Sequence, residues 1–453
     1  MEGEPLAEIS VAADGSLAML DVRPELGGAQ AARITPTADC ARIRPQWRAR
    51  FGCVDAPLVH LHRNGDHTIA LSLRARTHAE VTARAKSSLG LSDNVVLFDA
   101  DGRRTPTDFV PSDGVHLYAA PRFEVWMWPG VRRGHNRTIA IEGLNRPILM
   151  ETLAVSPRLF RLRNVLTRGE ADQLRQAADE QGWIASGSYD GTSTDSPQFT
   201  PSDGRRRSST AWLGLDFGVR RGDVRTSATI ERLQKRLVDA ARIPGVGHAE
   251  AWQVVRYRQD DYQLHHSDLL RLPQYGSVRA VTTIVYLSTN PTKAGGGTNF
   301  PHAGRDDVDK ERVFDASPFV AEPGDCTHGR TIQPRLGDAL LFYTIESPSA
   351  STSRASSIKA DARAAHAACR LHRGEKYIAN VWLHTAPVNE TKAVHMHCGL
   401  VASKAGEPVL GENEPGARGR HWAKCWRDVV ERRNPRAMRQ FVEVEGALHD
   451  ATR

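Results

Sequence analysis

The chain has no apolar segment long enough to span a bilayer, which takes ~20 consecutive apolar residues, so its 453 residues give no sign of a membrane-spanning protein. Its opening residues, Met1-Glu2-Gly3-Glu4-Pro5, lack the basic-then-apolar layout of a secretory leader. Cysteine is scarce: six residues, at 40, 53, 326, 369, 398 and 425, widely spread and without a Cys-x-x-Cys pair. That pattern predicts reduced thiols, and the expected setting is the cytoplasm or nucleus. A long run of one charge sign is also missing. Lysine and arginine number 60 against 53 acidic residues, a net charge of +7, and the basic residues are dispersed. Acidic partners are permitted, but no nucleic-acid partner is indicated.

The informative residues are His266-Ser267-Asp268 and, much later, His366-Ala367-Ala368-Cys369. Two imidazoles and one carboxylate can cover one face of an iron(II) ion and leave the opposite face open for a co-substrate and dioxygen. The His-x-Asp spacing suits a strand, where alternate side chains point the same way. With 18 histidines in the chain, a lone His-x-Asp carries little weight. Its surroundings carry more. Lys376, ten residues after His366, opens Lys376-Tyr377-Ile378-Ala379-Asn380-Val381-Trp382. A strand, a turn and a returning strand bring its ammonium toward the open face, where a dicarboxylate bound to iron needs a fixed cation.

Other blocks frame these residues. Gln253-Val254-Val255-Arg256-Tyr257 is a strand entering the site, and Arg279 to Ser288 is strongly β-forming. The turn Gly295-Gly296-Gly297 follows, and later Arg335-Leu336-Gly337-Asp338 feeds the apolar Ala339-Leu340-Leu341-Phe342. Upstream stand Leu159 to Leu166, a helical stretch from Arg168 to Gln181, and Arg206-Arg207-Ser208-Ser209-Thr210.

In their order these blocks resemble the catalytic domain of the prolyl 4-hydroxylases, iron(II)- and 2-oxoglutarate-dependent dioxygenases, over about residues 157–386. The resemblance implies a double-stranded β-helix, a jelly-roll with flanking helices. It implies His266, Asp268 and His366 as iron ligands and Lys376 as the anchor of the distal carboxylate of 2-oxoglutarate. Tyr257 and Tyr286 would hydrogen-bond the co-substrate, and Arg206 and Trp382 would line the peptide side. No catalytic residue is implied beyond the metal site. The implied reaction turns 2-oxoglutarate and O2 into succinate and CO2 while hydroxylating a proline-containing protein or peptide, with ascorbate as a further cofactor.

Each residue also has a plainer interpretation. Tyr257 alone is a core aromatic, Lys376 alone a surface strand residue, and Arg206 part of a solvated run Arg205-Arg206-Arg207. The chain departs from the family in places. Asp260-Asp261 replaces the usual Gly-Gln, Tyr262 falls one residue early relative to His-x-Asp, and Arg370 replaces a proline. Asp268 and His366 lie 98 positions apart, a gap lengthened by polar stretches at His302–Arg330 and Ser347–Ala365. These differences bear on peptide specificity more than on the chemistry.

The remainder divides into an irregular region 1–54, a module at 55–122, a linker at 123–156 and a helical extension at 387–453 that contains Trp422 to Val430. The module has strands around an Asn64-Gly65 turn, a helix His78–Leu89 stopped by Gly90, and strands Val95–Phe98 and Val115–Tyr118. That order resembles a ubiquitin-like β-grasp domain, which leaves two readings open, a docking or scaffolding role and a purely structural appendage. The chain runs past Tyr118 with no terminal Gly-Gly, so conjugation is not implied. The expected fold class is therefore α+β: a jelly-roll catalytic domain plus a small β-grasp domain. The expected activity is peptidyl-proline hydroxylation. Two alternatives stay open: the same chemistry on another side chain or a small molecule, and a non-catalytic scaffold for protein interaction.

Overall fold

The computed structural model describes residues 10–11, 17–19, 56–91, 95–121, 125–189, 199–201, 204–219, 224–269, 271–272, 277–304, 326–346 and 360–387. The expected helix at Trp422–Val430, most of region 1–54, and the cores of both polar stretches lie outside these residues. The described residues are mostly β, with three α-helices, so the α+β expectation gives way to a β core with helices at its flanks.

In the N-terminal segment the elements are β1 (Leu58–Arg63), β2 (Leu71–Arg74), α1 (His78–Leu89), β3 (Val95–Phe98) and β4 (Val115–Pro121). Gly90 adopts a left-handed φ of 62°, which stops α1 where the sequence predicts. Strand β2 starts only at Leu71; before it an Asp66 carboxylate oxygen accepts from Thr68 N just past the Asn64-Gly65 turn. β3 pairs antiparallel with β4, Val95 opposite Pro121.

The stretch expected as a linker instead contributes β5 (Asn136–Ile139) and β6 (Ile148–Ala154), and buries Trp126 and Trp128. Then come β7 (Leu159–Arg163), α2 (Arg168–Gln181), β8 (Ile184–Ala185), β9 (Arg206–Arg207), β10 (Ser209–Leu213) and α3 (Ala228–Ala240). The last strands are β11 (Trp252–Tyr257), β12 (Tyr262–His266), β13 (Ser277–Tyr286), β14 (Thr298–Phe300), β15 (Arg330–Ile332), β16 (Ala339–Tyr343), β17 (His366–Ala368) and β18 (Lys376–His384). A large sheet runs β8-β10-β11-β18-β13-β16-β7-β6-β5, with Arg271–Leu272 paired to β13. A smaller sheet runs β9-β12-β17-β14-β15. From β11 to β18 the chain keeps crossing between the sheets, the winding of a jelly-roll.

Helix α2 starts at a full capping box: Thr167 accepts from Glu170 N, and Glu170 accepts from Thr167 N. Arg236 of α3 grips the same Glu170 at 2.8 Å, joining the two helices. Both helices share an apolar core with one face of the large sheet, including Val281 and Val285 of β13. The other face of β13 sends Ile284 and Tyr286 into a second core with Phe300 of β14 and Ala368 of β17. Every residue of β13 is buried, polar Ser277, Arg279, Thr282 and Thr283 included, so both faces of the strand are covered.

Gly337 has φ 84°, and a Cβ there would lie 2.5 Å from the carbonyl oxygen of Leu166. Its own carbonyl accepts from both Val165 N and Leu166 N. Gly337→Ala should therefore cost about 2 kcal/mol of stability, read as a lowered denaturation midpoint. Wild-type stability in this variant would show that the turn relaxes without strain.

Candidate metal centre and its cavity

Antiparallel pairing of β12 with β17 sets His266 directly opposite His366. Asp268 follows two residues beyond His266, just past the strand. Asp268 Oδ1 lies 3.5 Å from His266 Nε2, and Oδ2 lies 3.5 Å from His366 Nε2. All three ligand atoms fall within 4.8 Å of one another. Each imidazole is oriented by its other nitrogen: His266 Nδ1 sits 2.9 Å from Leu264 O, and His366 Nδ1 sits 3.1 Å from Ala364 O. A carbonyl can only accept, so Nδ1 carries the proton and the Nε2 lone pair faces the cavity. Thr282 donates to Asp268 Oδ2 at 2.9 Å, and the rings of Phe300 and Phe342 pack on His366.

The electrostatics match a ligand set ready for a cation. Burial, assisted by neighbouring His266, pushes the His366 pKa down to about 4 and keeps the ring neutral. Burial alone would raise the Asp268 pKa, but His366, His266 and Arg279 outweigh it and hold the carboxyl well below the usual range. Neutral imidazoles and an ionised carboxylate are the forms that bind metal. Two nitrogens and one oxygen on one side of a cavity of about 210 Å³ fit the two-histidine, one-carboxylate arrangement.

Lys376, the first residue of β18, lines the same cavity at 1% exposure. Its Nζ has no hydrogen-bond partner. A buried ammonium so placed fits an anionic ligand, since leaving it unmatched is costly. Tyr257 lies beside it, with Nζ 4.9 Å from the ring centroid, and Tyr257 OH is 3.4 Å from Gln263 Oε1. Tyr286 reaches the cavity only indirectly, through a 3.0 Å bond to Thr298. Arg206 and Trp382 both line the cavity. Arg206 is 5% exposed, not part of a solvated patch, and donates from Nε to Ser208 Oγ at 2.9 Å. Trp382 packs under the guanidinium of Arg279, 4.1 Å from its ring centroid.

Several residues here were missed by sequence reasoning. Arg279 forks onto both oxygens of Glu250, at 2.8 and 2.9 Å, and His384 Nε2 lies 2.7 Å from Glu250 Oε1. Burial would raise the Glu250 pKa, yet Arg279 and His384 bring it down to about 2. Asn380 was within reach of a period-two count from Lys376, since it lines the cavity along with Ile378 and Trp382. Gln263 was hidden by a bulge, because the register slips between Gln263 and His266. Asp260 explains one family difference: it takes a left-handed φ of 66°, the conformation a glycine adopts freely.

The expectation of reduced thiols fails for Cys326 and Cys369, which form a disulfide. It ties the segment before β15 to the residue after β17 across 43 positions, a pairing that no short motif announces. Disulfides persist in oxidising surroundings, so the cysteines no longer argue for a reducing compartment. Among the described residues no helix is long and apolar enough to cross a membrane.

Burial lowers the Lys376 pKa from 10.5 in the free side chain to about 7. Below about pH 7 both the folded and unfolded chains hold this proton, and the full destabilisation is present. Between that pH and 10.5 only the unfolded chain keeps it, so this residue's destabilisation fades as pH rises. Metal-free Lys376→Met should therefore exceed wild type in stability at or below neutral pH, and the gap should shrink toward alkaline pH. Denaturation curves of both proteins across pH test this; a gap that does not change with pH would refute it.

Residues 252–384 match the model of the 2OG-Fe(II) oxygenase superfamily. The chain is 29% identical over 238 residues to Probable prolyl 4-hydroxylase 3 of Arabidopsis thaliana, covering 52% of this chain and 71% of that protein. It is 25% identical over 255 residues to Probable prolyl 4-hydroxylase 6 of the same plant, covering 55% and 76%. A solved structure of the viral collagen prolyl hydroxylase of Paramecium Bursaria Chlorella virus-1, a 2OG complex, aligns with 50% of this chain and 96% of its own at 20% identity, TM-score 0.31. The matched segment begins with the first residue of β11 and ends with the last of β18. It encloses all three candidate ligands and Lys376, and the chain thus carries a prolyl 4-hydroxylase-like 2OG-Fe(II) oxygenase domain.

Proposed function

We propose that this protein is an iron(II)- and 2-oxoglutarate-dependent dioxygenase that hydroxylates peptidyl proline and releases succinate and CO2. The observation that carries this function is the buried ammonium of Lys376, without a hydrogen-bond partner, in the same cavity as an open His266-Asp268-His366 face. Iron(II) held there would supply the dioxygen chemistry. The chain's own residues do the rest. Lys376 neutralises the distal carboxylate of 2-oxoglutarate, and Tyr257 lies against it. Tyr286 holds Thr298 at the wall. Trp382 and Arg206 line the side that receives the peptide. Ascorbate is proposed as a further cofactor on the resemblance to prolyl 4-hydroxylases, and the 55–122 segment as a docking module for a protein partner.

Anaerobic titration of the iron(II) protein with 2-oxoglutarate should produce a weak visible charge-transfer band, absent in His366→Ala. A wild type without the band, or His366→Ala with an unchanged one, would point to a non-catalytic scaffold. Lys376→Ala should weaken 2-oxoglutarate binding by roughly ten- to a hundredfold, the worth of a charged hydrogen bond, with iron affinity kept. Equal loss of both would make the lysine structural. Substrate class is tested with proline-containing peptides, scored by a gain of one oxygen coupled to succinate. Succinate formed only with free metabolites would favour a small-molecule substrate.

A further inference from the structure

Gln263 is the one amide that touches a candidate metal ligand, among the described hydrogen bonds, and its two ends face different ways. Its Oε1 accepts from Tyr257 OH at 3.4 Å. Its Nε2 lies 3.2 Å from His266 Nε2. His266 places its proton on Nδ1, toward Leu264 O, so His266 Nε2 offers a lone pair and the amide is the donor. The orientation of the amide is thereby fixed, oxygen toward Tyr257 and NH2 toward the triad. The register slip between Gln263 and His266 is what turns this side chain into the cavity while His266 keeps its place opposite His366.

These contacts form an unbroken line. The Lys376 ammonium sits 4.9 Å from the Tyr257 ring centroid, the Tyr257 hydroxyl meets Gln263, and Gln263 meets His266. A dicarboxylate anchored at Lys376 and reaching the metal must lie along it. Once the His266 lone pair is given to a metal, the Gln263 NH2 loses its acceptor while Tyr257 still holds the other end. We infer that Gln263 is a co-substrate-binding residue, whose amide N–H donates to the metal-side carboxylate of 2-oxoglutarate. This inference rests on the function proposed above and assigns a role to a residue outside the triad and its lysine.

The test uses the full chain with iron(II) under anaerobic conditions and compares wild type with Gln263→Leu and Gln263→Glu. Leucine removes the donor. Glutamate keeps the shape and the acceptor for Tyr257 but sets a carboxylate against the co-substrate's own. Both variants should bind 2-oxoglutarate roughly ten- to a hundredfold more weakly, with the charge-transfer band of the remaining complex displaced. Iron(II) affinity measured without 2-oxoglutarate should stay at the wild-type value. If Gln263→Leu does not fold, the near-isosteric Gln263→Glu alone decides. Wild-type affinity and band position in the folded variants would overturn the inference, and so would a loss of iron affinity equal to the loss for 2-oxoglutarate. A wild type that binds no 2-oxoglutarate would overturn the proposed function itself, and that failure shows before any variant is made.

Discussion

The pairing of β12 with β17 is the constraint on which the rest of this domain depends. It makes neighbours of two imidazoles 100 positions apart in sequence, and it leaves Asp268 just past the strand end to complete the set. The chain between them is not slack. β13 and β16 cross to the large sheet and close the opposite wall, while β14 flanks β17 on its other side. A shift of one residue in the β12–β17 register would turn His266 away from the cavity, because side chains alternate across a strand. The apolar contacts of Phe300 and Phe342 with the His366 ring therefore hold more than a core; they hold the register that defines the site.

Much of this was legible because local chemistry and fold agree. The helical stretch Arg168–Gln181 forms over the expected residues, and the structure adds a capping box of Thr167 with Glu170 at its start. The helix His78–Leu89 was bounded by Gly90. The run from Arg279 announced a strand, and the structure shifts it by two residues, to Ser277–Tyr286. The candidate ligands and Lys376 stood out because a metal and an anion require those residue types at fixed separations. What stayed hidden was non-local or broke the alternation. The Cys326–Cys369 bond joins residues with no motif between them. The Glu250–Arg279–His384 cluster draws on three separate elements. Strands β5 and β6 gain their place only by pairing with each other and, through β6, with β7. Gln263 faces inward only because of a bulge, and a strict period-two count across β12 cannot register an extra residue.

Charge is distributed unevenly around the cavity. Near Trp382 the guanidinium of Arg279 is matched by Glu250, and His384 shares the same carboxylate. Breaking one member of such a buried set leaves its partner exposed to the full cost of desolvation, so the cluster braces Trp382 and the backbone of Asp268, which accepts from Arg279 Nη1 at 3.4 Å. At Lys376 the arrangement is the reverse: the fold carries an ammonium with no hydrogen-bond partner. A structural lysine would have been supplied with one, or replaced by an apolar side chain of similar volume.

That contrast orders the site along a single strand. β18 places Lys376, Ile378, Asn380 and Trp382 on the cavity face in succession. At a rise of about 3.3 Å per residue the first and last of these lie roughly 20 Å apart. That span exceeds a five-carbon dicarboxylate, so the strand has room for two ligands end to end. On the proposed function the co-substrate takes the Lys376 end, where only an anion relieves the buried charge. The Trp382 end, already neutralised by its own ion pair, is left for a substrate recognised by shape and by unfilled hydrogen bonds. Asn380 Oδ1 and Trp382 Nε1, one acceptor and one donor, are both buried without a hydrogen-bond partner. A peptide backbone offers one group of each kind per residue, so on the proposed function this pair would meet a peptide's N–H and C=O rather than a uniformly anionic or uniformly apolar molecule.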